Sequence, residues 1–494
     1  NGLDNTLYGF YVNDIKNGTY TKEEIKEFLK YFLIQWSAIG NYWGQPFYLG
    51  GTNKDGSTKY NELPYVILDA YKELEIYNPK IQLKISDSTP DKLLFKVFDM
   101  VRNGQNSFAF CCEPGMIKAV MSYGATYGEA LDMDIRGCYE TGVRANEVST
   151  ATGYVNAPKA VEYVMSNGFD KRINKQFGIK TGSLKSLKTF EDFYGAVIKQ
   201  WENLIELTIS VSSEYEKYLG YIIPSNMYSA TIEDALIKGT DAYQNGVKFN
   251  NSSILNCGFA SLVDSVMTVK EFVYDKNIVS LETLSKALDK NWAGCEDLRT
   301  QITKSVYKYG NGDKTADMYA EAMSAYFSSK VNNRPNARGG VYKALMHTAM
   351  EFLWQGEKTG ATPDGRYAGS EISKNASPSV GMDKEGVTAL TESALKTKPY
   401  VYCDGHCLDI LLHPSAVSGE DGLKIMKALL FAYMHNCGQT AQFNVFNTET
   451  LRDAQNHPEK YQNLQVRVCG WNVLWNNLSE KEQNAYILRA ENIK

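Results

Sequence analysis

Two short stretches hold residues whose types and spacing could do chemistry. The first is RGCYETG, Arg136 to Gly142, with a thiol and a carboxylate two residues apart between two glycines. In an extended backbone, residues two apart point to the same side. Cys138 and Glu140 are therefore expected to face one pocket, with Tyr139 turned away. A carboxylate beside a thiol raises the thiol pKa and opposes thiolate chemistry. The five histidines all lie at His347 or later, so the loop has no obvious histidine for a Cys–His pair. Read alone, the loop fits a buried structural cysteine.

The second stretch is QVRVCGWNVLWNNL, Gln465 to Leu478. Alternating apolar residues run into Gly470, and Trp471 and Trp475 follow it. Glycine in a strand costs backbone entropy and gives no side chain to pack. It marks a bulge or a close approach of another segment, or else its own Cα–H bond is the reagent.

Other candidates are weaker. CDGHC, Cys403 to Cys407, followed by His413, offers soft ligands, but lacks the paired spacing of zinc folds and crowds one turn. Cys111 and Cys112 in FAFCC read as small buried strand residues. GGTNKDG (Gly50 to Gly56) and YGNGD (Tyr309 to Asp313) are glycine turns without the strand–turn–helix context of a nucleotide fingerprint.

These stretches need a large scaffold. The chain has 494 residues, enough for several ordinary domains or one large barrel. Its apolar fraction of 43% and charged fraction of 22% are globular values. A net charge of -5, with no long basic tract, argues against general nucleic-acid binding. Apolar runs such as LLFAYM, Leu429 to Met434, are too short to span a bilayer. Nine cysteines, an odd number in a long chain, favour free thiols and a reducing, cytoplasmic setting. No signal peptide opens the chain, which begins at Asn1, so an upstream part is expected to be missing.

Helical and extended patterns alternate. Thr21 to Trp36 reads as a helix with a Thr21/Glu24 capping box. Ile81 to Ser86 alternates like a strand. A helix follows it, with Pro90 at its start and Gly104 past its end. Strand followed by helix, repeated, predicts an α/β architecture with a largely parallel sheet. Thr359 to Gly381 is loop-rich. A boundary is placed after it, giving segments 1–390 and 391–494. Ser479 and Glu482 form a capping box over the last helix.

QVRVCGWNVLW resembles the radical-bearing segment of the glycyl radical enzymes, RVxG followed by an aromatic residue. RGCYE resembles the cysteine loop of the same family. TPDGR (Thr362 to Arg366), SPSVG (Ser377 to Gly381), QFNVF (Gln442 to Phe446) and LRDAQNHPEKYQNL (Leu451 to Leu464) agree in order along the chain. The resemblance covers essentially the whole chain.

It implies a ten-stranded α/β barrel of two half-barrels, its first half incomplete here, with the cysteine and glycine loops meeting inside. It implies that Gly470 stores a backbone radical and that Cys138 receives it as a thiyl. Glycine suits the role because no side chain forces the radical out of plane, so both flanking amides share the spin. It also implies a partner, a radical-SAM activating enzyme with its own iron–sulfur cluster, and no organic cofactor or metal in this chain. A small-molecule substrate and a second copy of the chain complete the expected partners.

Cys138 is followed by Tyr139, not by a second cysteine, which argues against acyl transfer from pyruvate. The Cys-x-Glu form resembles the eliminating members, with Glu140 as base. GCYETG…ATGYVNAPK, Gly137 to Lys159, is most similar to the hydroxyproline dehydratase-like branch, and on that resemblance Tyr154 lines the pocket. Two features depart from that branch: CGWN stands where it usually has AGYS, and NYWGQPFYLGG (Asn41 to Gly51) is bulky. Trp43 and Phe47 in that stretch line the pocket or belong to the core. The preferred reaction is dehydration of a small hydroxylated substrate. Decarboxylation of an arylacetate is the alternative within the family, and a non-catalytic, binding or spare-part relative is the alternative outside it.

Overall fold

The computed structural model describes residues 2–39 and 45–491. Its first strands are β1 (Phe47–Gly50), β2 (Ile81–Ile85), β3 (Phe108–Cys112), β4 (Asp134–Arg136), β5 (Glu140–Gly142), β6 (Glu147–Asn156) and β7 (Phe169–Asp170). There follow β8 (Lys175–Gln176), β9 (Phe249–Cys257), β10 (Tyr342–Leu345), β11 (Cys407–Leu412), β12 (Thr440–Val445), β13 (Gln465–Arg467) and β14 (Asn472–Leu474). Four helices open the chain: α1 (Leu3–Asn17), α2 (Lys22–Ala38), α3 (Leu63–Leu74) and α4 (Asp91–Arg102).

By contact the chain forms two units, residues 1–144 with 405–494, and residues 145–404. The first holds a five-stranded sheet in the order β1-β2-β3-β12-β11. Its pairs are parallel except β12 with β3, which is antiparallel. The expected local signals operate here. Thr21 and Glu24 close a capping box over α2, worth about 1 kcal/mol. Pro90 sits at the N-cap of α4, and Ser479 and Glu482 exchange bonds at the head of the helix Glu480–Glu491.

The two faces of this sheet differ. Ile81, Leu83, Phe110 and Phe443 share the face that meets α4, where Phe98 stands 5.2 Å from Phe110 and 6.2 Å from Phe443. Phe47 pairs with Ile81 on that same face and packs on Trp36 of α2 at 5.4 Å. The opposite face carries Gln82, Lys84, Cys111, Thr440, Gln442 and Asp409, and Lys80 just before β2; all are buried. A buried sheet face rich in polar groups is unusual, because each group must find a partner. Two hairpins supply many of those partners.

The second unit carries a parallel three-stranded sheet in the order β10-β9-β6. A register shift falls between Ala151 and Gly153. A Cβ on Gly153 would lie 2.7 Å from Ile254 Cδ1 and 2.8 Å from Ser212 Oγ, so glycine lets the long helix Phe190–Glu216 approach. Trp201 of that helix is fully buried in the unit's core and stacks on Phe327 at 5.7 Å. Lys343 is buried with Glu147 at 2.8 Å and Asp404 as its ion-pair partners. The short β7–β8 hairpin completes the strands of this unit among the described residues. The fold class is the expected α/β one.

Candidate active site

Both stretches singled out in the sequence are hairpins of the first unit. β4 and β5 pair antiparallel, with Arg136 opposite Glu140, so Gly137, Cys138 and Tyr139 form the turn. This corrects the extended backbone expected there. Gly137 has φ +47°, which turns the chain too sharply for a strand. Glu140 nevertheless meets Cys138, with a carboxylate oxygen within 4.8 Å of the cysteine sulfur. Its carboxylate folds back and accepts the Cys138 N–H at 2.7 Å and the Tyr139 N–H at 3.1 Å. Tyr139 is fully buried.

β13 and β14 pair in the same manner, with Arg467 opposite Asn472. Gly470 therefore lies in a turn and not within a strand. Its φ is +107°, where L side chains are strained. A Cβ placed on it would lie 2.9 Å from Cys138 Sγ, closer than real contacts allow, and a tight 3.3 Å from Cys138 Cα. Only a bare Cα fits. The glycine hydrogen that occupies the position of a side chain points at the cysteine.

The polar sheet face holds both hairpins. Lys80 donates to the Gly470 carbonyl at 2.8 Å, and its Nζ lies 3.7 Å from Cys138 Sγ. Gln82 donates to the carbonyls of Cys138 at 3.0 Å and Gly137 at 3.3 Å. Lys84 donates to Met133 O at 2.6 Å. Arg467 is buried. It donates to Gly470 O at 3.1 Å and to the Gln442 side-chain carbonyl, while its backbone exchanges bonds with Asn444 at 2.9 and 3.1 Å. Asn472 donates to Asn106 and Ser107, each at 2.8 Å.

Burial sets the electrostatics. It lowers the pKa of Lys80, with the Cys138 thiol acting in the opposite sense and Arg467 reinforcing the fall. Burial pushes the Cys111 thiol up to about 12 and drives Cys407 well above its usual range. It lowers His406 to about 3, so this imidazole stays neutral beside Tyr433. Such an interior disfavours thiolate chemistry and suits neutral hydrogen-atom transfer between a thiol and a carbon.

The site thus unites Gly470, Cys138 and Glu140 in one unit. Phe47 lies on the other sheet face, against Trp36, where packing accounts for it. Tyr154 sits on β6 in the second unit, 39% exposed. Trp43 lies outside the described residues. Sequence reasoning missed Lys80 and Gln82, and gave Arg467 no role. The signal was present in KIQLK, where a polar residue falls at every second position, but that pattern equally fits a strand with one wet face.

Comparison with known proteins agrees with this geometry. Residues 1–354 match the family described as pyruvate formate lyase-like, and residues 372–476 match the glycine radical domain. The chain belongs to the pyruvate formate lyase-like family. It is similar to the trans-4-hydroxy-L-proline dehydratase of Clostridioides difficile, at 32% identity over 99% of this chain and 64% of the relative. The crystal structure of the C. difficile hydroxyproline dehydratase with trans-4-hydroxy-L-proline bound superposes with a TM-score of 0.92, at 31% identity over 99% of this chain and 64% of that one. A Roseburia inulinivorans structure concerned with 1,2-propanediol dehydration gives 0.93, at 27% identity and the same coverage. The chain thus spans just under two thirds of the length of these relatives. Among the described residues, no helix is long and apolar enough to cross a membrane.

Proposed function

We propose that this chain carries out radical elimination of water from a small hydroxylated substrate. Gly470 stores the unpaired electron on Cα. Cys138 gives its S–H hydrogen to that carbon and becomes a thiyl. The thiyl takes a hydrogen atom from the substrate, leaving a carbon radical next to the departing hydroxyl. Glu140 takes the proton released beside that radical, the C–O bond breaks, and Glu140 returns that proton to the departing hydroxide, which leaves as water. The product radical recovers its hydrogen from Cys138, and Gly470 resets the pair. No net electron is consumed.

The observation that carries this reading is the close approach of the Gly470 and Cys138 turns, where a side chain on residue 470 would collide with the cysteine. The resemblance to dehydratases supports water as the leaving group. Tyr154 and Trp43 are the proposed substrate contacts, and a cyclic hydroxy amino acid is the proposed substrate class. We assign the cysteine chemistry to segment 1–390 and the glycine radical to segment 391–494; the family-model matches at 1–354 and 372–476 support two segments in this order, the second match beginning before residue 391. The radical is installed by a separate radical-SAM activating enzyme, so the hardest bond cleavage begins on a partner's cofactor. The protein is further proposed to act as a cytoplasmic homodimer.

The test is anaerobic activation followed by incubation with trans-4-hydroxy-L-proline. Loss of one water per substrate, without carbon dioxide, is expected. Carbon dioxide release from an arylacetate instead would overturn the dehydratase assignment.

A further inference from the structure

Lys80 is hard to explain as a stabilising residue. Its side chain is buried, and its amine has two partners among the described residues, the Gly470 carbonyl at 2.8 Å and the Cys138 sulfur at 3.7 Å. Taking an amine out of water costs several kcal/mol, and a carboxylate partner is the usual compensation. One backbone carbonyl and one thiol, with the Glu140 carboxylate acting without a direct hydrogen bond, return less than that. A second buried donor, Arg467, converges on the same carbonyl at 3.1 Å. Two basic side chains on a single backbone oxygen, in a turn that contacts a cysteine, call for a chemical reason.

A radical on a glycine Cα is stabilised because one neighbouring amide nitrogen donates electron density and the carbonyl accepts it. The contributing form places negative charge on the carbonyl oxygen. Hydrogen-bond donors on that oxygen strengthen this form. A thiyl radical has no such form to strengthen. The transfer between them breaks the Cys138 S–H bond and makes the Gly470 Cα–H bond, moving one hydrogen atom and no charge. Its equilibrium therefore shifts with anything that stabilises one radical alone.

We propose that Lys80 and Arg467 form a two-donor clamp on the Gly470 carbonyl that holds the unpaired electron on glycine between turnovers, with Lys80 also fixing the Cys138 thiol against it. Lys80 is a positioning residue in this scheme and exchanges no proton with substrate. The inference rests on the proposed roles of Gly470 and Cys138.

The test compares the activated wild type with Lys80→Met by high-field electron paramagnetic resonance. Loss of a donor leaves the carbonyl oxygen lone pair less stabilised, so the g-anisotropy of the glycyl signal is expected to increase. Without substrate, the radical is expected to decay about tenfold faster, since the lost bond ranks with the stronger hydrogen bonds. A merely structural lysine changes folding yield but neither of these readings. If Lys80→Met does not fold, Lys80→Gln keeps a polar end within the interior while shortening its reach to the carbonyl, and the same shifts are expected. A folded variant with wild-type g-anisotropy and lifetime overturns the clamp. A wild type that shows no glycine-centred signal overturns instead the roles of Gly470 and Cys138.

Discussion

The two hairpins share a plan and differ in how they are held. Each has two three-residue strands and a turn bearing the residue that matters. The glycine hairpin is tied through side chains at its base. Arg467 and Asn472 face each other and reach Gln442, Asn106 and Ser107, all buried. The cysteine hairpin is tied at its turn through backbone groups. Gln82 holds two of its carbonyls, Lys84 holds the Met133 carbonyl just before it, and Glu140 caps two of its own N–H groups. A side-chain network at the base fixes the position of a turn and resists local opening. Backbone anchors at the turn itself, together with Lys80 on the sulfur, hold Cys138 against Gly470.

Substitutions can break this contrast, and their effects should fall in order. Cys138→Ser should have the largest effect. An O–H bond is too strong for a glycyl radical to break, so turnover should drop to background while the resonance signal survives activation. Glu140→Gln comes next. The amide oxygen can still accept from the loop N–H groups, so the radical should persist while turnover falls about 10²- to 10⁴-fold, the usual worth of a general base. Loss of the radical in that variant would show that Glu140 serves mainly to shape the loop.

Arg467→Met should act on stability. It strands the Gln442 carbonyl and removes one donor to Gly470, and should cost about 3 kcal/mol, read from denaturant midpoints. Gln82→Leu is the matching change on the cysteine side. It gives up bonds to two carbonyls, one of them long, and should cost about 1 kcal/mol while leaving the glycyl signal unaltered. Equal costs at the two sites would remove the contrast between the hairpins.

Much of this was legible in the sequence, for local reasons. The capping boxes at Thr21 and Ser479 depend on residues three apart, and so does the helix start at Pro90. RGCYE and RVCGW were legible because their chemistry is concentrated within a few residues. What failed depended on partners distant in the chain. The turn at Cys138 is hidden in the sequence because strands of three residues carry too little periodicity to reveal a hairpin. The side on which Phe47 falls is set by its pairing with Ile81, which the sequence does not display. The interior role of Lys80 and Gln82 needed the knowledge that both faces of β2 are covered.

The most direct test of the central claim is electron paramagnetic resonance of the anaerobically activated protein, prepared once with ordinary glycine and once with glycine deuterated at Cα. The Gly470→Ala variant is a poorer control, because the added methyl strains the backbone and strikes Cys138. A doublet that collapses to a single line on deuteration, together with air-induced cleavage leaving a fragment that ends near Cys469, is the expected result. A signal whose splitting ignores the deuterium, or a chain that survives air intact after activation, would contradict the placement of the radical on Gly470.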